Sequence, residues 1–157
     1  ILGCGGVART MAYEAVLADN DLTLAVRKDD VNMAKELKKE LESIKETEVK
    51  VCLLDELSGE IDVLVNATPV GMFPKVDNCP VNDEIIKNSK AVFDAIYNPL
   101  ETQLVQKAKA FGNKAIGGMA MLVWQAVVAQ QKWNDVTFNK DDINKLCIDC
   151  LEELKNK

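Results

Sequence analysis

The chain has no histidine among its 157 residues. That removes the commonest side-chain proton donor and acceptor near neutral pH. Cations are in the minority, with 19 Lys and Arg against 25 Asp and Glu, a net charge of -6 and a pI near 4.8. Binding to a nucleic-acid backbone needs clustered Lys and Arg to release counterions, so nucleic acid is not an expected partner. Long apolar runs are missing too. None reaches the ~20 residues a bilayer-spanning helix needs, and no basic-then-apolar leader stands at the front, so no membrane partner is expected. Five cysteines, an odd number without framework spacing, point to reduced thiols and a cytoplasmic setting.

What is present suits one globular domain: 48% apolar and 28% charged residues. Cys147 and Cys150 form a C-x-x-C, but Ile143, Leu146, Cys147, Cys150, Leu151 and Leu154 together describe one apolar helix face. Without a second ligand pair or a glycine-framed turn, they read as packing residues, and no metal site is expected.

Apolar period alternates along the chain. Strands are expected at 22–26, 49–54, 61–66, 91–96 and 114–116. Helices are expected after the first glycines, over 33–44, near 82–87, from Pro99 to Phe111, over 119–133, and from Asn139 to about Lys155. Strands separated by helices at this spacing give a Rossmann-like, doubly wound parallel α/β sheet with helices on both faces. The helix over 119–133 is apolar nearly all round, so it must be covered on more than one side.

The opening ILGCGGVA carries the dinucleotide fingerprint G-x-G-x-x-G/A at Gly3, Gly5 and Ala8. Gly3 permits the tight turn, Gly5 admits a pyrophosphate, and Ala8 lets the helix lie against the strand, while the amides from Cys4 through Gly6 to Val7 face the anion. Only Ile1 and Leu2 stand where a preceding strand belongs. The expectation is that the chain is the carboxyl-terminal portion of a longer polypeptide whose amino-terminal substrate domain is absent. The second strand ends AVRKDD, with Arg27 and Lys28 where NAD-binding folds place an acid. Arg suits a ribose 2'-phosphate, so NADP is the expected cofactor, and Asp29 and Asp30 keep NAD as the minority option.

Carbonyl reduction with a nicotinamide hydride also needs a proton donor. Tyr13 and Tyr97 are followed four residues on by Leu17 and Glu101, so neither has a Lys to lower its pKa. No catalytic group is expected within this chain.

Three further stretches, VNATPVGMFP (65–74), DAIYNPLETQL (94–104) and GGMAMLVWQA (117–126), resemble the shikimate dehydrogenase family together with GCGGVAR. The resemblance implies interconversion of 3-dehydroshikimate and shikimate with NADP(H) in aromatic amino-acid biosynthesis. It also implies two domains, with a Lys and Asp pair for proton transfer in the amino-terminal one. It assigns Gly3, Gly5, Gly6, Ala8, Arg27, Asn66, Ala67 and Thr68 to the cofactor, Gly118 and Met121 to the nicotinamide, and Tyr97 and Gln125 to the substrate. Val26 and Lys28 depart from the family's Asn-Arg-Thr cluster, and Ala120 stands at a family Gly. Gln125, an amide among Leu122, Val123, Ala126 and Val127, is costly to bury unpaired and suits a polyhydroxy acid, the alternative being a structural bond to a neighbouring carbonyl. The expected division is a cofactor domain over 1–138 and a terminal helix, 139–157, packing toward the missing domain. A homodimer is left open. The quinate/shikimate branch, a non-catalytic sensor of the same fold and the related domain of glutamyl-tRNA reductases are the alternatives, and the acidic balance and IYNPLET count against the last.

Overall fold

The computed structural model describes residues 1–155. Five parallel strands carry the fold: β1 (Leu22–Val26), β2 (Val49–Leu53), β3 (Ile61–Asn66), β4 (Ser89–Asp94) and β5 (Lys114–Ile116). The strands form two groups, β1–β2 and β3–β4–β5. Between them lies Leu2, bridged in parallel to Ala25 on one side and to Asn66 on the other. The Leu2 N–H donates to Val65 O at 2.8 Å and the Gly3 N–H to Ala25 O at 2.9 Å. The two residues before the glycine turn therefore act as a short central strand, and the order β2–β1–Leu2–β3–β4–β5 reverses there. Such a reversal opens a crevice at the carboxyl edge of the sheet, where doubly wound folds bind ligands.

Helices cover both faces, as the sequence pattern implies. On one, α1 (Gly6–Leu17) and α2 (Val31–Ile44) bury Ala12, Val16, Ala34, Leu37 and Leu41 against Leu22, Leu24, Val26 and Val49. On the other, α3 (Asp83–Lys87) and α4 (Gln103–Ala110) bury Ile85, Ile86, Leu104 and Ala108 against Leu2, Leu64 and Val92. A third cluster joins α5 (Met119–Asn134) to α6 (Lys140–Lys155) through Met119, Val123, Val127 and Ile143, with Cys147, Cys150 and Leu151 around it. Those two cysteines pack as the helical spacing implies, and all five cysteines are unpaired.

Boundaries of β2, α2 and α5 shift by one or two residues from the sequence reading, and those of β4 and α4 bear on the site. β4 starts at Ser89 and ends at Asp94, two residues earlier than expected. α4 starts at Gln103 rather than Pro99, because Thr102 is its N-cap: its Oγ1 accepts from Val105 N–H at 3.4 Å. Residues 95–101 instead cross the strand ends, where the Phe73 N–H donates to Asn98 O at 3.1 Å and the Gly118 N–H to Ile96 O at 2.9 Å. At the other end of the chain Asn139 does cap α6, its Oδ1 accepting from Asp141 N–H at 2.9 Å. Residues 156 and 157 of the expected terminal segment lie outside the described residues.

Candidate functional site

The glycine turn sits at the strand reversal, and its glycines do different work. Gly3 has φ +95°, and a Cβ there would lie 3.0 Å from Thr68 Cγ2 and 3.3 Å from Ala67 O. Its glycine is demanded by the protein itself. Gly5 and Gly6 are exposed, and a Cβ on either would meet no atom within 4 Å. Among the described residues, no atom requires them to be bare. The room they leave lies outside the protein, at the amino end of α1. Gly5 caps that helix without a side-chain bond, and no acidic residue occupies its first turn. The first amides are thus free to receive an anion, with the helix dipole in support.

Two clefts flank the turn that follows β3. The first, of about 310 Å³, is lined by Gly3, Cys4, Gly5, Arg27 and Asp30, with Met33 closing one side. Met33 is an exposed apolar residue on a helix whose buried stripe is Ala34, Leu37 and Leu41; its place is this cleft. The second, of about 340 Å³, is lined by Val7, Met72, Phe73, Ile96, Tyr97 and Asn98. Ala67, Thr68 and Pro69 border both. A hollow of about 410 Å³ at the opposite edge of the sheet, around Lys87, Lys90 and Phe111, shares no residue with either cleft.

Thr68 is held by a buried polar chain. Asn66 Oδ1 accepts from both the N–H (3.1 Å) and the hydroxyl (2.7 Å) of Thr68. Asn66 Nδ2 donates to Asp94 Oδ1 at 3.0 Å and to Val70 O at 3.3 Å. Asp94 also accepts from the Ile96 N–H at 3.0 Å and, through Oδ2, from the Thr102 hydroxyl at 2.6 Å. Asn66, Asp94 and Thr102 are all fully buried or nearly so. Burial pushes the Asp94 carboxyl above its ordinary range, against the pull of its three donors. One carboxyl thereby ties the ends of β3 and β4 to the start of α4 and fixes the ridge between the clefts. Asn66 acts on the shape of the turn from within, and Asp94 and Thr102 were not singled out from the sequence. Their partners lie 28 and 8 residues away along the chain, so no local spacing signals them.

The remaining candidates fall as follows. Cys4 is buried, its Sγ 3.7 Å from Asp30 O, and burial first and the Asp30 carboxylate second raise its thiol pKa. Ala8 is fully buried under the sheet edge. Arg27 is exposed and held by Asp30, while Lys28 is exposed and lines neither cleft. Tyr97 is half-exposed in the second cleft. Gly118 has a steric part: a Cβ there would lie 2.2 Å from Ala95 O, so its bareness seats α5 against the end of β4. Met121 is half-buried in the first turn of α5. Gln125 lies on the outward side of α5. It is exposed, because only the Met119, Val123, Val127 stripe turns inward, and Trp124, Gln125 and Ala126 face out.

No family model matches the chain. Similarity to individual proteins is extensive. Shikimate dehydrogenase (NADP(+)) of Methanocaldococcus jannaschii is 39% identical over 153 residues, 95% of this chain and 54% of that protein. A crystal structure of shikimate dehydrogenase in complex with NADP+ superposes with a TM-score of 0.82 at 37% identity, covering 96% of this chain and 53% of the other. A chorismate mutase/shikimate 5-dehydrogenase fusion protein from Clostridium acetobutylicum gives 0.83 at 32%, covering 98% and 54%. The resemblance carried by the four motifs is borne out over nearly the whole chain. The chain spans about half the length of the relatives it matches.

Proposed function

We propose that this chain is the NADP-binding half of a shikimate dehydrogenase, hydride transfer between NADP(H) and 3-dehydroshikimate or shikimate being the reaction of the parent enzyme. One observation carries the reading: Gly5 and Gly6 are bare where only an external group needs the space, at the amino end of α1 and beside Arg27. These residues fit a dinucleotide. The amides of Gly5, Gly6 and Val7 take the diphosphate, and Arg27 takes the 2'-phosphate in the first cleft. Lys28 adds positive charge at the rim, and Ala8 keeps α1 close to the sheet.

When bound, the nicotinamide supplies the hydride. The chain's own part is to place and to exclude. Val7, Met72 and Phe73 form an apolar wall around the second cleft, which limits water near the reacting carbon. The ridge of Asn66, Ala67 and Thr68 sets the path between the clefts, Gly118 and Met121 place the start of α5, and Tyr97 and Gln125 present a hydroxyl and an amide toward the substrate. Among the described residues, the second cleft is lined by no Lys, Asp or Glu. In this reading, proton transfer is the work of the Lys and Asp pair that the resemblance assigns to a preceding domain. The exposed apolar side chains Trp124, Val128 and Trp133 on α5 and Leu146 and Ile148 on α6 support an interface of these helices with that domain.

Titrating the chain with NADPH while following nicotinamide fluorescence tests the reading. Saturable binding without turnover of shikimate and NADP is expected, and substantial turnover by this chain alone would contradict the placement of the proton-transfer pair.

A further inference from the structure

Arg27 is not a free cation waiting for a phosphate. Its Nε donates to Asp30 Oδ2 at 2.9 Å, and an Nη lies 2.8 Å from the same oxygen. Asp30 stands at the N-cap of α2, yet its carboxylate makes no bond to that helix's amides. It is turned instead across the η1 turn (Lys28–Asp30) onto the guanidinium, and the Asp30 N–H donates to Arg27 O at 3.0 Å, closing the turn from the backbone side. Both side chains line the first cleft. The arginine is the more exposed partner, 71% against 25% for the aspartate, so the carboxylate is the fixed member of the pair.

The consequences for the two dinucleotides are opposite. An incoming 2'-phosphate meets a cation already half-neutralised, and its own two negative charges stand beside the Asp30 carboxylate. A 2'-hydroxyl instead meets an acceptor, since Asp30 Oδ1 has no partner among the described residues. The segment Arg27, Lys28, Asp29, Asp30 carries no net charge. Basic residues at the end of β1 are therefore offset within three residues of their start.

Resting on the NADP reading above, we infer that Asp30 sets the dinucleotide selectivity of this chain: by holding Arg27 and facing the cleft, it narrows the preference for NADP over NAD that Arg27 alone would give. Asp30 is a different position from the strand-end acid of NAD-binding folds, which Arg27 replaces here.

Calorimetric titration of wild type, Asp30→Asn and Asp29→Asn with NADP+ and with NAD+ tests this. Asp30→Asn is expected to raise the ratio of NADP+ to NAD+ affinity by about tenfold, from relief of repulsion and loss of the hydroxyl acceptor. Asp29→Asn removes the same charge from a residue that does not pair with Arg27, and is expected to shift the ratio by less than about threefold. An unchanged or lowered ratio in Asp30→Asn, with both cofactors still bound by wild type, overturns the inference and leaves the NADP reading standing. Equal shifts in the two variants also overturn it, since the effect would then be net charge and not placement. Failure of wild type to bind either cofactor overturns the NADP reading and the inference with it. Melting curves matched to wild type exclude unfolding, and Asp30→Glu, which keeps the charge, is expected to keep the ratio within about threefold of wild type.

Discussion

The sheet and the α5–α6 pair solve the problem of burial in different ways. Each face of the sheet is covered by helices of the same chain, so the clusters around Leu24 and Leu64 are closed by the chain's own residues. The α5–α6 pair closes only one stripe, Met119, Val123, Val127 and Ile143, and leaves Trp124, Val128, Trp133, Leu146 and Ile148 in solvent. A helix that is apolar nearly all round but buried on one side leaves an apolar surface that its own domain does not cover. The sheet carries the fold, and the pair carries the exposed apolar face proposed above as an interface.

The seam between the two regions is where the largest effect is expected. Gly118→Ala drives a Cβ into Ala95 O and is expected to cost about 3 kcal/mol or more. A single lower melting transition means the regions fold together. Two transitions, with the sheet's unchanged, would show that α5 and α6 detach independently and would break the coupling implied by the Gly118 contact.

Next in size is the buried carboxyl. Asp94→Ala leaves the Ile96 N–H and the Thr102 hydroxyl without their acceptor and takes one of the two acceptors of Asn66 Nδ2, and a loss of about 2–3 kcal/mol in chemical denaturation is expected. Its titration gives an independent sign. The folded-state pKa lies above the ordinary 3.8, so the native state holds the proton more readily than the unfolded chain. The Asp94 contribution to stability is thus complete below 3.8 and falls as pH rises through the raised value. Asp94→Asn, which cannot ionise, should flatten that slope, and a slope identical to wild type would remove Asp94 as its source.

Gly5→Ala should separate binding from folding. Loss of glycine at an N-cap costs about 1 kcal/mol or less, since no atom of the chain contests the space, whereas NADP+ affinity should fall by at least about tenfold as the Cβ enters the diphosphate's place. Equal affinity in wild type and variant would show that the bare surface is not the cradle. The smallest effect belongs to the open face of α5. Trp133→Ser, at a residue 75% exposed, should change stability by no more than about 0.5 kcal/mol.

Those contrasts also explain what the sequence made legible. Strands and amphipathic helices could be read because each carries its own period, and even Ile1 and Leu2 were recognisable as a strand remnant by the glycines that follow. The start of α4 misled because Pro99 and Thr102 are both valid opening signals, and tertiary bonds to Ile96 O and Asn98 O hold the chain across the strand ends before Thr102. On α5 the side that turns inward was not legible, because a helix apolar on nearly every side has no period from which to tell inside from outside. At the site, the glycines and Arg27 were visible as a local motif. The Asn66–Asp94–Thr102 chain and the Arg27–Asp30 pair depend on how side chains turn in space, which spacing alone does not encode.

The account stands on the amides at the head of α1 receiving a diphosphate. Recording amide proton and nitrogen NMR shifts of the labelled chain while adding NADP+ tests this most directly. Saturable shifts concentrated at Gly5, Gly6 and Val7, with Arg27 Nε moving in step, are predicted. Shifts absent from those residues at saturating NADP+, with the spectrum of a folded protein, would contradict it.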